Sequence, residues 1–144
     1  MSIRTILENK GREVATVDPS ATLEAAAQLL AARKIGALVT LGEAGNVIGI
    51  LSERDVVKAI ARDGAAALGQ TVSSVMTTAV TLADEETTVD EAMEIMTRGR
   101  FRHLPVCENG ELLVGIVSIG DIVKRRIEEV EEEAEQMRTY IHAG

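Results

Sequence analysis

Apolar residues recur along this chain in two rhythms. Leu23, Ala26, Ala27 and Leu30 fall at i, i+3, i+4 and i+7, and so do Val89, Ala92, Met93 and Met96. That stripe belongs to a helix packed on a core, and it makes the methionines core filling. Thr22 and Thr88 stand where such helices open, and Thr88-Val-Asp-Glu91 has the spacing of a capping box. Shorter apolar runs predict strands at Val14 to Val17, Ala37 to Leu41 and Val47 to Leu51, and again at Val80 to Leu82, Leu104 to Cys107 and Leu112 to Val117. The stretches GEAGN and ENG supply the hairpin turns, and a second helix begins after each hairpin, from about Glu53 and about Ile119.

The order is the same twice because the chain repeats. Thr22 set on Thr88 gives an offset of 66 residues, which also pairs Val14 with Val80, Leu38 with Leu104, Gly49 with Gly115, Ser52 with Ser118, Asp55 with Asp121 and Lys58 with Lys124. Each copy is a β-α-β-β-α unit. Neither covers both faces of its own small sheet, so an α+β fold is expected in which the copies pack as one pseudo-twofold module. The first repeat with its connector RDGAAALGQ takes residues 10–70, the second 71–127, and a helical extension 128–144. In that last helix Val123, Ile127, Val130, Ala134, Met137 and Ile141 form a heptad seam flanked by glutamates. Such a seam packs either on its own module, against the amphipathic segment Ile3, Ile6, Leu7, or across a dimer.

Charge and composition narrow the function. With 15 basic and 23 acidic residues the formal net charge is −8, which disfavours binding to a nucleic-acid backbone. The aromatics are Phe101 and Tyr140, too few for a base-stacking platform, so a bound base is expected between aliphatic side chains. No apolar run reaches the roughly 20 residues of a membrane-spanning helix, and the N-terminus lacks the pattern of a cleaved leader; a cytoplasmic protein with no membrane partner is expected. The single cysteine, Cys107, lies in an apolar run and is expected in the core. Catalytic motifs are missing. GIVSIG has the wrong spacing for a nucleophile elbow, no phosphate-binding glycine loop occurs, and two distant histidines make no metal site.

One element does carry chemistry. Gly49-Ile-Leu-Ser52-Glu-Arg54-Asp55 repeats as Gly115-Ile-Val-Ser118-Ile-Gly-Asp121. Ser-x-x-Asp at a strand-to-helix junction serves as a variant capping box. The same geometry offers an anion the free N–H groups of a helix start, and offers ribose hydroxyls an acceptor carboxylate. One side chain can do both.

Two β-α-β-β-α units, each with G-I-(L/V)-S-x-x-D, joined by VSSVMTTAV and carrying RHLPV before the second hairpin, resemble a tandem pair of cystathionine-β-synthase (CBS) domains. The resemblance extends over about residues 10–127, and the chain is similar to small stand-alone bacterial CBS-pair proteins assigned to signal transduction. It implies a regulatory module without enzymatic activity, often a disc-shaped dimer, that binds adenosine compounds (AMP, ADP, ATP, NAD(H) or S-adenosylmethionine) in two clefts and acts on an effector protein encoded elsewhere. It further implies that Asp55 and Asp121 bind ribose, that Ser52 and Ser118 contact ribose or phosphate, with Arg54 beside them, and that Thr16 lines a cleft. Thr81 is the nearest counterpart of Thr16. Phosphates held from Asp55 would meet Arg100, Arg102 and His103.

That pairing accounts for RGRFRHLPV in an acidic chain. Arg100 and Arg102 alternate along an extended segment and can point the same way, and guanidinium forks suit phosphate oxygens. The equivalent stretch Lys34-Ile-Gly-Ala has one cation, so the clefts are expected to be unequal. Two other readings stand beside this one. The arginines can complement a helix C-terminus and pair with surface carboxylates, and the protein can act as a structural or interaction module through its acidic C-terminal helix.

Overall fold

The computed structural model describes residues 1–143 of the chain. In chain order the elements are α1 (Ile3–Lys10), α2 (Leu23–Arg33), β1 (Ala37–Leu41), β2 (Val47–Ser52), α3 (Glu53–Asp63), a 3-10 turn (Gly64–Gly69), α4 (Val72–Val75), α5 (Val89–Gly99), β3 (His103–Glu108), β4 (Leu112–Ser118) and α6 (Ile119–Ala143). The two hairpins, β1 with β2 and β3 with β4, are antiparallel and matched in register: Ala37 faces Ser52 as His103 faces Ser118. Thr22 and Thr88 cap α2 and α5 by accepting from Ala25 N and Glu91 N at 3.1 and 3.0 Å. Glu91 does not complete the expected box. Both reciprocal boxes occur instead at the Ser-x-x-Asp junctions, where Ser52 N donates to Asp55 Oδ2 at 2.9 Å and Ser118 N to Asp121 Oδ2 at 2.8 Å.

The first strand of each unit is smaller than its apolar run predicts. Residues 14–17 touch the sheet through one parallel bridge, Thr16 with Val39, and the second copy through Ala83 with Val106. Proline explains the difference between the copies. Val39 both accepts from Val17 N and donates to Ala15 O, each at 3.1 Å. Pro105, at the same repeat position, accepts from Ala83 N at 3.0 Å but has no N–H to return. The segment pairs further on instead, with Cys107 N donating to Ala83 O at 2.8 Å.

Each repeat has its own core, and each core is completed by the segment that precedes the other repeat. Leu23, Leu38 and Leu51 pack with Val72 of α4 and with Ala67 of the 3-10 turn, which makes the connector part of the core. Leu104, Val117, Ile122 and Met96 pack with Ile3, Ile6 and Leu7 of α1. The swap is symmetrical in its hydrogen bonds. Leu23 N bonds Gln70 O and Val72 N bonds Ala21 O, while Val89 N bonds Met1 O and Ile3 N bonds Thr87 O. Segment 3–10 is therefore an integral element of the second repeat and not a pad for the C-terminal seam. Beyond Ile122 the seam stands in solvent: Ile127, Val130, Met137 and Ile141 are all more than half exposed.

A candidate nucleotide cleft

A cavity of about 280 Å³ opens between the repeats, close to the lower end of the roughly 300 Å³ usual for small-ligand pockets. One wall is the junction of β2 and α3, with Ser52, Glu53, Arg54, Asp55 and Lys58. The opposite wall is the turn between α5 and β3, with Arg100, Phe101, Arg102 and His103. The floor is the extended segment after α4, where Thr77 exchanges backbone bonds with Ile50 at 2.9 and 3.0 Å and leads Ala79, Val80 and Thr81 along the cleft. The expected partners Ser52, Arg54, Asp55, Thr81, Arg100, Arg102 and His103 are thus brought together.

The charges in this cleft are left free for a ligand. Asp55 is held by the Ser52 cap, its own N–H donating to Ser52 Oγ at 3.2 Å, and no lysine or arginine is ion-paired with it among the described residues. Arg98 pairs with Glu94 one turn earlier on α5, which is the surface role the alternative reading gave to the whole cluster. Arg100 and Arg102 have no such partner among the described residues. Arg100 caps α5 in the left-handed conformation, with φ 57°, a place where glycine is usual. That conformation turns the chain sharply from the helix into β3 at the mouth of the cleft.

His103 is half-buried between the repeats. Gly36 makes room for it, since a Cβ there would lie 2.9 Å from the imidazole Cε1. Burial pushes the imidazole below its ordinary value; Glu53 and Asp121 pull it up, and Lys10 and Arg102 push it further down. The unfolded chain therefore binds the proton first as pH falls through about 6.5, and acid favours unfolding. Replacing His103 with glutamine should reduce the drop in melting temperature between pH 7.5 and 5.5, as measured by circular dichroism at both pH values.

Four expected residues lie elsewhere. Thr16 is exposed at its bridge to Val39 and is not among the residues lining the cavity. Lys34 lies in a separate shallow groove with Leu30, Val56 and Val57. Its repeat position matches that of Arg100, and it shares the left-handed cap, with φ 54°, but neither Ser118 nor Asp121 lines that groove. Ser118 and Asp121 form their box beside Lys10, whose Nζ is 2.8 Å from Asp121 Oδ2. Burial pushes the Asp121 carboxyl up, but the Lys10 ammonium and the Ser118 N–H outweigh it and hold the carboxyl below its ordinary value.

Lys58 and Phe101 line the cavity without having been expected there. Lys58 had a signal, its repetition as Lys124. Phe101 packs over Gly99, where any Cβ would strike its ring, and it adds an aromatic surface to a cleft expected to be wholly aliphatic. Cys107 is buried, and burial pushes its thiol up, as suits a core residue. No helix is long and apolar enough to cross a membrane among the described residues.

The family model of the CBS domain matches residues 10–62 and 72–128. This chain belongs to the CBS-domain family. A solved CBS-domain protein from Agrobacterium tumefaciens is 52% identical, with 87% of this chain and 92% of that one aligned at a TM-score of 0.84. The CBS domain-containing protein YhcV of Bacillus subtilis is 34% identical over 111 residues, 76% of each chain. A CBS domain pair solved in complex with 5′-methylthioadenosine and S-adenosyl-L-methionine is 26% identical and aligns over 90% of this chain at a TM-score of 0.80. Two curated relatives, 37% and 32% identical, are longer, and the chain spans 66% and 73% of their length. It spans a fifth to a quarter of several others, including the 22% that it covers of the inosine-5′-monophosphate dehydrogenase of Thermoplasma acidophilum.

Proposed function

We propose that this CBS pair is a regulatory module that binds an adenine nucleotide (AMP, ADP, ATP or NAD(H)) in the Asp55 cleft and passes its occupancy to an effector protein. The observation that carries this is one cavity with the Asp55 carboxylate on one wall and the Arg100 and Arg102 guanidinium groups on the other, none of them ion-paired among the described residues. Asp55 accepts from the ribose hydroxyls. Arg100 and Arg102, with Arg54 and Lys58 nearby, take the phosphates as charge-assisted acceptors. The base lies against Phe101, Val80 and Ile50. A related pair solved with two adenosine compounds supports the ligand class, and the cations add a preference for phosphorylated forms. The work is binding, not catalysis, and belongs in the cytoplasm.

A ligand that binds only the folded state raises its stability by RT ln(1 + [L]/Kd), about 2.7 kcal/mol at a hundredfold excess over Kd. The melting temperature of the stripped protein should therefore climb with AMP or ATP, and the climb should shrink toward that seen with adenosine when Arg100 and Arg102 are both alanine. An unchanged melting temperature in millimolar nucleotide contradicts the reading.

The exposed stripe on α6 favours a second component, a homodimer. Val57 and Ile60 of α3 are also exposed, at 64% and 41%, and Val57 matches Val123 of α6 at the repeat offset. Two copies joined along these stripes would bury both. Ile127→Glu should then halve the mass seen by light scattering without changing helix content.

A further inference from the structure

The two halves differ in what stands before their aspartates. Beside Asp55 the chain leaves α4 and runs extended, and Thr77 N–H donates to Ile50 O. In the other half α1 remains helical through Lys10, and the Lys10 ammonium donates to Ile116 O at 3.0 Å. Ile116 is the repeat counterpart of Ile50. The same ammonium also donates to Asp121 Oδ2 at 2.8 Å. A side-chain cation thus replaces a peptide N–H and neutralises the aspartate as well.

The helix that carries this lysine cannot back away. Ile3, Ile6 and Leu7 are buried, Leu7 lies so close to Gly115 that a Cβ there would be 2.7 Å from its Cδ2, and Arg4 and Arg12 pair with Glu86 and Glu85. The Lys10 side chain is about a third exposed and the Asp121 side chain 23% exposed. Only the lysine side chain is free to swing out.

We propose that Lys10 is a built-in occupant of the acceptor position at Asp121, which leaves each chain with a single nucleotide site at Asp55 and a second that forms when the ammonium is removed. This rests on the nucleotide-binding reading of the Asp55 cleft. It assigns the inequality of the clefts to an occupied acceptor as well as to the missing cations near Lys34. A ribose diol needs a carboxylate with free lone pairs; Asp121 gives two of its acceptor sites, both on Oδ2, to Ser118 N–H and the Lys10 ammonium, whereas Asp55 gives one, to Ser52 N–H, and holds no cation among the described residues.

The test is to count AMP sites per chain by calorimetry on stripped protein. Wild type should bind one AMP. Lys10→Met keeps an unbranched apolar stem without the charge and should bind two, the second at least tenfold tighter than any residual binding there in wild type; Lys10→Gln serves as an independent variant should methionine perturb folding. Asp55→Ala with Lys10→Met should keep one site at undiminished affinity, and adding Asp121→Ala should weaken that site as well. Two sites in wild type, or one in both Lys10 variants with Asp55 binding intact, overturns the proposal while the nucleotide reading stands. Binding that appears only once Lys10 is replaced supports the proposal and refutes the Asp55 site. No binding in any folded variant refutes both.

Discussion

Asp55→Ala should weaken AMP binding by about tenfold to a hundredfold, the range expected for hydrogen bonds to a charged group worth roughly 1.5–3 kcal/mol. The same substitution removes half of a capping box, because Asp55 also accepts from Ser52 N–H at 2.9 Å. Losing a cap costs roughly 0.5–2 kcal/mol of stability, so a fall in affinity could be read as a damaged fold. The repeat supplies the control. Asp121 makes the equivalent bond to Ser118 N at 2.8 Å and also holds the Lys10 ammonium, so Asp121→Ala should cost at least as much stability. It should leave AMP affinity at the Asp55 cleft within about twofold. Calorimetric titration and urea unfolding of both variants separate the two effects. Equal losses of affinity would mean that Asp55 acts only as a cap.

Leu7→Ala should destabilise the protein by about 2–5 kcal/mol, the range for emptying a leucine site in a well-packed core. Leu7 is 1% exposed, and its methyl groups fill the space that glycine leaves at Gly115. Met76 fills the matching space over Gly49. The two glycines therefore have the same reason to be glycine: each repeat's second strand is crossed closely by a side chain from a segment preceding the other repeat. A peripheral helix would lose less than about 0.5 kcal/mol on the same substitution, so urea unfolding distinguishes an integral α1 from an appended one.

Much of this architecture was legible because two periodicities and one offset agree. The hairpins are clear in sequence since five- to seven-residue apolar runs are interrupted by glycine turns, and Gly45 and Gly110 do adopt positive φ, 81° and 72°. The arginine cluster was legible for a chemical reason, that no core needs it. Other features were hidden by their dependence on tertiary pairing. The apolar runs at residues 14–17 and 80–82 look like strands, but their shares of backbone bonds are decided by residues 39 and 105 respectively, more than twenty positions away. Thr16 and Thr81 have similar surroundings in sequence, yet only Thr81 lies on the extended segment that lines the cavity.

The part played by α1 was concealed by register. Ile3 and Leu7 match Val72 and Met76 at an offset of 69, three residues more than the rest of the repeat, so an alignment fixed at 66 passes over them. Those three residues matter physically. They keep α1 helical where the other half has turned extended, and that brings Lys10 to Asp121. Phe101 was likewise legible as an aromatic but not as a wall of the cleft, because its position depends on the left-handed turn at Arg100.

Nucleotide binding by the stripped protein is tested most directly by a calorimetric titration with adenosine, AMP and ATP in turn. Saturable binding that strengthens from adenosine to the phosphorylated compounds is the predicted result. Absence of saturable heat with all three, from protein shown to be folded, would contradict it and leave the exposed face of α6 as the working surface of the molecule.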